Sequence, residues 1–466
     1  MKKSSRYEVI IIGSGPAGIF AALELAKHNI TDILILERGK DIKDRYCPVQ
    51  KGSSVCRRCS PCSLLCGWGG AGAYSDGKLV LSKKIGGRLE GYLDKKKLTQ
   101  LVKYVDEIYL DSGAPDEVFG KDFKEVKRWQ IKAKKIGLEL IPALIRHMGT
   151  DLSREVLARI KDRLKKKAKL RLETEAARLL VKNGEIKGVV TKNGKRFFAK
   201  FVIAAPGRSG IEWLAQEAKR LNVSLNQNPV DVGLRIELPS AVLEKIASVT
   251  YEPKLIYYSK TFGDRVRTFC MNPNGEVVPE FAEGIISVNG HSYSKEKSNY
   301  TNFALLVSTN FTQPFNDSIA YGKYLAGLAN LISGGILVQR LGDLKAGRRS
   351  TKERIRRGAF LPSLSMATPG DLSFVLPYRY LTNILEMIEV LGRLCPGVNS
   401  PHTLLYGLEV KFYSSRWKLT KNFESQVKNL FAVGDGAGVT RGLMQASISG
   451  VVAAREIKRR LDKFKK

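Results

Sequence analysis

Long apolar runs are missing from this chain of 466 residues. No stretch approaches the roughly 18 apolar residues of a membrane span, which excludes a helical membrane protein. Acidic residues are few beside basic ones, 45 against 78, leaving a formal charge of +33. Such a surplus raises nucleic acid, an anionic membrane surface or acidic partners. The cations are nevertheless spread along the chain. Their densest runs, at 161–169, 348–357 and 458–466, lack the interleaved aromatics of a single-strand stacking platform, so nucleic acid is not an expected partner. Histidine is scarce, with four in all. No Ser–His–Asp arrangement, Walker loop or HExxH pattern occurs, which removes the familiar hydrolytic and phosphoryl-transfer sites. Internal repeats and low-complexity tracts are absent too. What remains is a globular composition, 43% hydrophobic and 26% charged, too long for one core and therefore expected to form two or more domains.

The most informative stretch is VIIIGSGPAG, Val9 to Gly18. A β-branched run enters a turn with glycines at Gly13, Gly15 and Gly18, and a helical pattern follows through Pro16 and Ala17 to Lys27. Gly13 permits a tight turn, Gly15 lets backbone approach a pyrophosphate, and Gly18 lets the helix pack on its strand. A second apolar run, Ile33–Leu36, ends in Glu37-Arg38. That acid lies roughly 20 residues past the glycines, where a ribose hydroxyl is bound in dinucleotide sites. Met1-Lys2-Lys3 ahead of apolar residues imitates a secretion signal, but the glycines break the segment and a cytoplasmic protein is expected.

Further along, Tyr92–Ala114 reads as a helix with Leu98, Leu101, Val105 and Tyr109 on one face. Lys121–Gly137 is polar and ambiguous. Leu152–Leu164 is helical, with Thr150 or Asp151 as its expected cap. Asn183-Gly184 and Asn193-Gly194 separate alternating runs and predict hairpins. Phe201–Ala205 is a buried strand that ends at Pro206-Gly207. From about residue 226 short strands alternate with turns and some helix. Near the end, Asn429–Val433 is again a buried strand, running into Gly434-Asp435-Gly436, and Met444–Leu461 is a long helix.

A nucleotide turn near the start and a strand–GDG–helix near the end are explained together if both belong to one doubly wound sheet, with the late strand beside the first. At this point the sequence resembles the glutathione-reductase-like (two-dinucleotide-binding) superfamily of FAD oxidoreductases, and within it a group of FAD-dependent dehydrogenases. The matching segments are VIIIGSGPAG, LILERG, GGAGAYSDGKL, VIAAPGRSG, TPGDLSFVLP and VGDGAGVTRGLMQASISG. The resemblance implies FAD, with Glu37 on the adenosine ribose and Asp435 on the ribityl chain. Gly69, Gly70, Ala71 and Gly72, together with Gly436, Gly442, Leu443 and Met444, would approach the flavin and its pyrophosphate, and Gly207 belongs to the same domain. The helix opening near Gly442–Met444 would point its positive end at the flavin, and Arg441 could add to it. A second GxGxxG unit for NAD(P)H is not evident.

Five of the seven cysteines crowd one region. Cys56-x2-Cys59-x2-Cys62-x3-Cys66, with Cys47 upstream, matches the spacing that wraps a [4Fe–4S] cluster. The fourth ligand is open among Cys66, Cys47, Cys270 and Cys395. Structural zinc, a redox dithiol and unligated cysteines are the competing readings. The run immediately precedes the glycine loop at 69–72, so an iron–sulfur centre there would exchange single electrons with the flavin and with a ferredoxin-type carrier.

The expected fold class is α/β. A discontinuous FAD domain with a Rossmann-like doubly wound parallel sheet takes 1–90, 150–225 and 402–466. A helical insertion takes 91–149, and a mixed α+β substrate domain 226–401. His402 and His291 are the candidate acid/base residues for a small-molecule substrate, with Tyr406, Arg235, Arg265, Arg267 and Arg416 as further polar candidates. The alternatives are an RNA-associated flavoprotein acting on tRNA, and an NAD(P)H-dependent flavin reductase with structural zinc.

Overall fold

A computed structural model of the chain describes residues 6–48, 56–226, 228–282, 284–311, 314, 317–411 and 416–465. Val9–Ile12 and Ile33–Leu36 are buried at every position, as strands covered on both faces must be. Arg6–Ile12 lies between Ile33–Leu36 and Arg196–Ala204, parallel to both, and Lys169–Arg171 extends the sheet beyond Ile33–Leu36. The late strand, Leu430–Ala432, pairs parallel with Arg196–Ala204. It was expected beside the first strand; the long Arg196–Ala204 strand separates the two. The two Asn-Gly turns do close hairpins, giving the antiparallel strands Ala176–Lys182 and Glu185–Thr191.

Register matters more than order here. Ile12 is level with Leu36 and with Ala204, and Ala204 is level with Ala432. All four chains therefore leave the sheet along one carboxyl edge, where strand order reverses and ligands of open α/β sheets bind. Two helices cross beneath this edge, Pro16–Lys27 and Leu443–Lys465. They approach closely because Gly450 has no side chain: a Cβ there would sit 2.0 Å from the Ala17 carbonyl oxygen.

The second layer is an eight-stranded sheet in the order 368–369, 337–340, 404–411, 230–239, 300–309, 265–272, 254–258 and 138–141. Two expected boundaries move. Leu404–Lys411 pairs with Val230–Pro239, so this layer runs past residue 401. Leu138–Ile141, inside the stretch expected to be a helical insertion, forms the far edge against Lys254–Tyr258. That stretch also holds helices Lys95–Leu110 and Phe123–Lys135, the latter capped by the Asp122 carboxylate accepting from the Glu125 N–H. The polar sequence of Phe123–Lys135 hid it, since only Val126, Trp129 and Ala133 are buried. Helix Gly149–Leu164 starts earlier than expected. Thr150 and Asp151 do not cap it: the Thr150 hydroxyl donates to the Ser75 carbonyl, and Asp151 accepts from Ser294.

Alternation along Val230–Pro239 sorts this sheet's two faces. Val230, Val232, Leu234 and Ile236 pack in a core with Ile384, Met387, Ile388 and Leu391 of helix Tyr378–Leu394. Asp231, Arg235 and Glu237 lie on the other face. Arg235 is fully buried, and its guanidinium forks onto Glu409 through Nε (2.7 Å) and Nη2 (3.0 Å). Among the described residues no helix is long and apolar enough to cross a membrane. Removing one partner of a buried ion pair strands the other charge in a dry interior. We therefore expect Glu409→Ala to cost about 3–5 kcal/mol, read as a lowered urea midpoint, and Arg235→Met with Glu409→Leu together to cost less than Glu409→Ala alone.

Candidate functional site

One cleft of about 620 Å³ runs along the carboxyl edge of the first sheet and is roofed by the second. At one end lies the turn after the opening strand. Gly13 adopts φ +97°, and a Cβ on it would meet the Ala205 carbonyl oxygen at 2.2 Å; a Cβ on Gly18 would meet the Gly13 oxygen at 2.0 Å. Both are packing glycines. Gly15 differs: its nearest neighbour on the Cβ side is Gly70 Cα at 3.9 Å, so its open side faces the cleft. Gly13, Gly15, Pro16 and Ala17 line the cleft, and Gly18 does not.

The glycine loop after the cysteines folds against this turn. A Cβ on Gly70 would lie 2.9 Å from Gly15 Cα, and one on Gly72 would lie 2.8 Å from Leu443 Cδ2. Three segments far apart in sequence thus meet: Gly13 with Gly15–Ala17, Gly70–Gly72 and Gly442–Met444 all line the cleft. Gly69 packs toward Leu157 instead, and Gly436 against the Gly207 backbone. Gly207, Arg38, Asp435 and Arg441 line the cleft. Asp435 accepts from the Thr440 hydroxyl at 2.6 Å.

Glu37 lines the cleft as well, but its carboxylate is already engaged. Oε2 accepts from the Ser14 N–H (2.9 Å) and hydroxyl (3.0 Å), and Oε1 accepts from the N–H groups of Gly39 and Gly67 (2.8 Å each). Four donors fill the roughly four lone-pair directions of a carboxylate. In this structure Glu37 ties the glycine turn to the loop at 67.

The expected acid/base residues lie elsewhere. His402 does not line the cleft; its Nδ1 faces Arg340 Nη2 at 3.2 Å. His291 is buried at the end of strand Ile285–His291 and does not line the cleft, although its neighbours Asn289 and Gly290 do. Tyr406 donates to Glu237, and Arg235 and Arg416 also stay outside the lining. Of the polar candidates only Arg265 and Arg267, besides Arg441, reach the cleft.

The cysteines do not converge. Among the described residues no group of three or more His, Cys, Asp or Glu could hold a metal ion. Cys47 is half-buried, Cys56 packs against the apolar cluster that holds Val277, Ile286 and Tyr406, and Cys59 is exposed. Burial pushes the Cys62 thiol up to about 11. Cys66 lies 3.2 Å from Arg38 Nε and 3.4 Å from Ser209 Oγ. Among the described residues these cysteines do not come together as a [4Fe–4S] cluster or a four-thiolate zinc requires.

Charged residues that the sequence reading passed over stand in the cleft instead. Lys78 Nζ lies 3.1 Å from Asp76 Oδ2 and 3.3 Å from Glu252 Oε2, and Lys254 pairs with Glu252. Burial alone would raise the Asp76 pKa, but Lys78 and His147 hold it well below the usual carboxylate range. Arg208 pairs with Glu280 at 3.0 Å. The signal lay in SDGKL, directly after the glycine loop: two opposite charges flank Gly77, which takes φ +66°.

Residues 229–412 match the family described as FAD-dependent protein, C-terminal domain-like. The match coincides with the second layer, from Val230 to Lys411. The chain is also 28% identical over 478 positions to an uncharacterized protein of Clostridium beijerinckii, covering 97% of this chain and 81% of that one. Among solved structures, glycine oxidase from Geobacillus kaustophilus aligns at TM-score 0.42 and 14% identity, over 98% of this chain and 95% of that one. L-proline dehydrogenase from P. horikoshii aligns at TM-score 0.44 and 13% identity, over 98% and 94%.

His291 yields a pH prediction. Burial pulls its pKa down to about 4, against an opposite pull from Asp76. Above the unfolded value of about 6.5 both states are neutral. As pH falls from there toward 4, the unfolded chain takes up a proton that the folded one refuses, so stability is lost across that window, by up to about 3 kcal/mol. Urea midpoints compared at about pH 7 and pH 4.5 should fall less steeply in His291→Asn than in the wild type.

Proposed function

We propose that this protein binds FAD along the cleft and is an FAD-dependent oxidoreductase acting on a small molecule held between the two sheets. The single observation that carries this reading is that Gly15, Gly70–Gly72, Asp435 and Gly442–Met444, from three distant parts of the chain, border one elongated cavity. The match of the roofing layer to an FAD-dependent C-terminal domain supports it. The kinship with the glutathione-reductase-like superfamily belongs to the same proposal.

The donors present fit such a cofactor. Helix Pro16–Lys27 begins at Gly15 with Pro16 in its first turn, so its free N–H groups and positive dipole end face a diphosphate without a side chain in the way. At the other end helix Leu443–Lys465 opens on the cleft beside Arg441, adding positive potential where an electron-rich ring would rest. Asp435 offers a carboxylate to a polyol between them. Bound FAD would supply two-electron redox chemistry. The protein's own part is to orient the substrate under the roofing sheet, shed water from the cavity and keep fixed charges there. Lys78 is held as an ammonium between Asp76 and Glu252, a proton at a defined atom on the cleft wall.

Gly15→Val tests the reading. A Cβ at Gly15 meets nothing nearer than Gly70 Cα at 3.9 Å, and Gly15 lines the cavity. The variant should keep its circular dichroism and unfold within about 1 kcal/mol of the wild type, while FAD affinity falls by about tenfold or more. Wild-type protein that neither copurifies with FAD nor takes it up in a fluorescence titration would sink the proposal.

A further inference from the structure

The roof of the cleft has an uneven charge balance. Antiparallel pairing sets Ile256 opposite Arg267 and Tyr258 opposite Arg265, and Lys254, Arg265, Arg267, Phe269 and Lys411 all line the cavity. Three of these cations have ion-pair partners within the protein: Lys254 in Glu252, which Lys78 shares, Arg267 in Asp231, and Lys411 in Glu409 at 3.0 Å, which Arg235 shares. Among the described residues the Arg265 side chain has no hydrogen bond or ion pair, although its backbone pairs in the strand. Four residues further along the same strand, the Phe269 ring is already flanked by cations. Arg267 Cζ stands 4.7 Å from the Phe269 ring centroid and Lys254 Nζ 5.8 Å from it.

We propose that Arg265 receives an anionic group of the substrate, a carboxylate or a phosphate, while the substrate's apolar body rests against Ile256, its diagonal neighbour on the adjoining strand. A guanidinium offers a planar fork that matches either anion in two parallel hydrogen bonds. The surplus of basic residues across the whole chain draws anions toward this mouth. The assignment of this anion as substrate rests on the flavin-dependent reading; the anion site itself does not.

Calorimetric titration of the purified full chain tests the site, with benzoate, inorganic phosphate, acetate and benzylamine as probes, and FAD content measured on the same preparations. Benzoate or phosphate should bind with a Kd of about 1 mM or tighter, and benzylamine should not. Benzoate should exceed acetate, which has the charge but no ring. Arg265→Gln should weaken the anion by about tenfold or more, Arg265→Lys by less, and neither should alter FAD affinity. Lys195→Gln, an exposed charge in a turn of the other sheet, should leave anion binding unchanged. Phosphate binding tighter than benzoate assigns a phosphate ester, and the reverse order a carboxylate. Absence of binding by both anions, equal binding of benzylamine, unchanged affinity in Arg265→Gln, or an equal loss in Lys195→Gln overturns the proposal. Calorimetry reads the anion without flavin colour, so wild-type protein lacking FAD overturns the flavin reading separately.

Discussion

The floor of the cleft depends on one buried carboxylate. Glu37 is 6% exposed, and an ionised group so placed costs several kcal/mol unless its oxygens are satisfied. Ser14, Gly39 and Gly67 supply the donors, from the opening turn, the loop after the second strand, and the segment leading into the glycine loop. Because those segments need Glu37 as much as it needs them, the turn, the loop and the second strand hold their positions together. Gly13 can then press against Ala205, and Gly70 against Gly15, with no side chain between. A shift of any one segment would leave either a buried donor or the carboxylate without a partner.

The roof is joined to the floor by a second polar network. Asp76, on the floor, takes hydrogen bonds from Ser292 and Tyr251 of the upper layer and faces His147 at 3.2 Å. Lys78 reaches Glu252 across the same boundary. Such a junction is directional where an apolar contact is not. It sets how far apart the two sheets stand, and hence the depth of the cavity, more sharply than packing of Leu and Val alone could. The cleft therefore combines a floor shaped by absent side chains with a roof positioned by charged ones.

Much of this was legible in advance wherever the signal was local. The opening turn, the two Asn-Gly hairpins and the long closing helix follow from short-range rules about glycine, turn geometry and helical period. Other elements were hidden by the same rules. Phe123–Lys135 is too polar to advertise itself, and Leu138–Ile141 is a strand only because Lys254–Tyr258 lies beside it. The two histidines drew notice through rarity, yet rarity is not position: His402 faces Arg340 and His291 is buried outside the lining. The cysteine run shows the limit of spacing most clearly. Its intervals suit a metal cluster, whereas the folded chain sends Cys56, Cys59 and Cys66 to different surroundings.

By itself the sequence determined that a parallel strand–turn–helix unit opens the chain, that its glycines leave backbone bare for a ligand, and that a second such edge comes near the end. These are properties of neighbouring residues, and local sterics decides them. Only the tertiary structure decided that Arg196–Ala204 stands between the first and last strands, that Leu404–Lys411 belongs to the roof, and which of the many charged side chains enter the cleft. Those outcomes depend on pairing between segments hundreds of residues apart, where burial and hydrogen-bond satisfaction across the whole molecule choose among registers that the local pattern leaves equivalent.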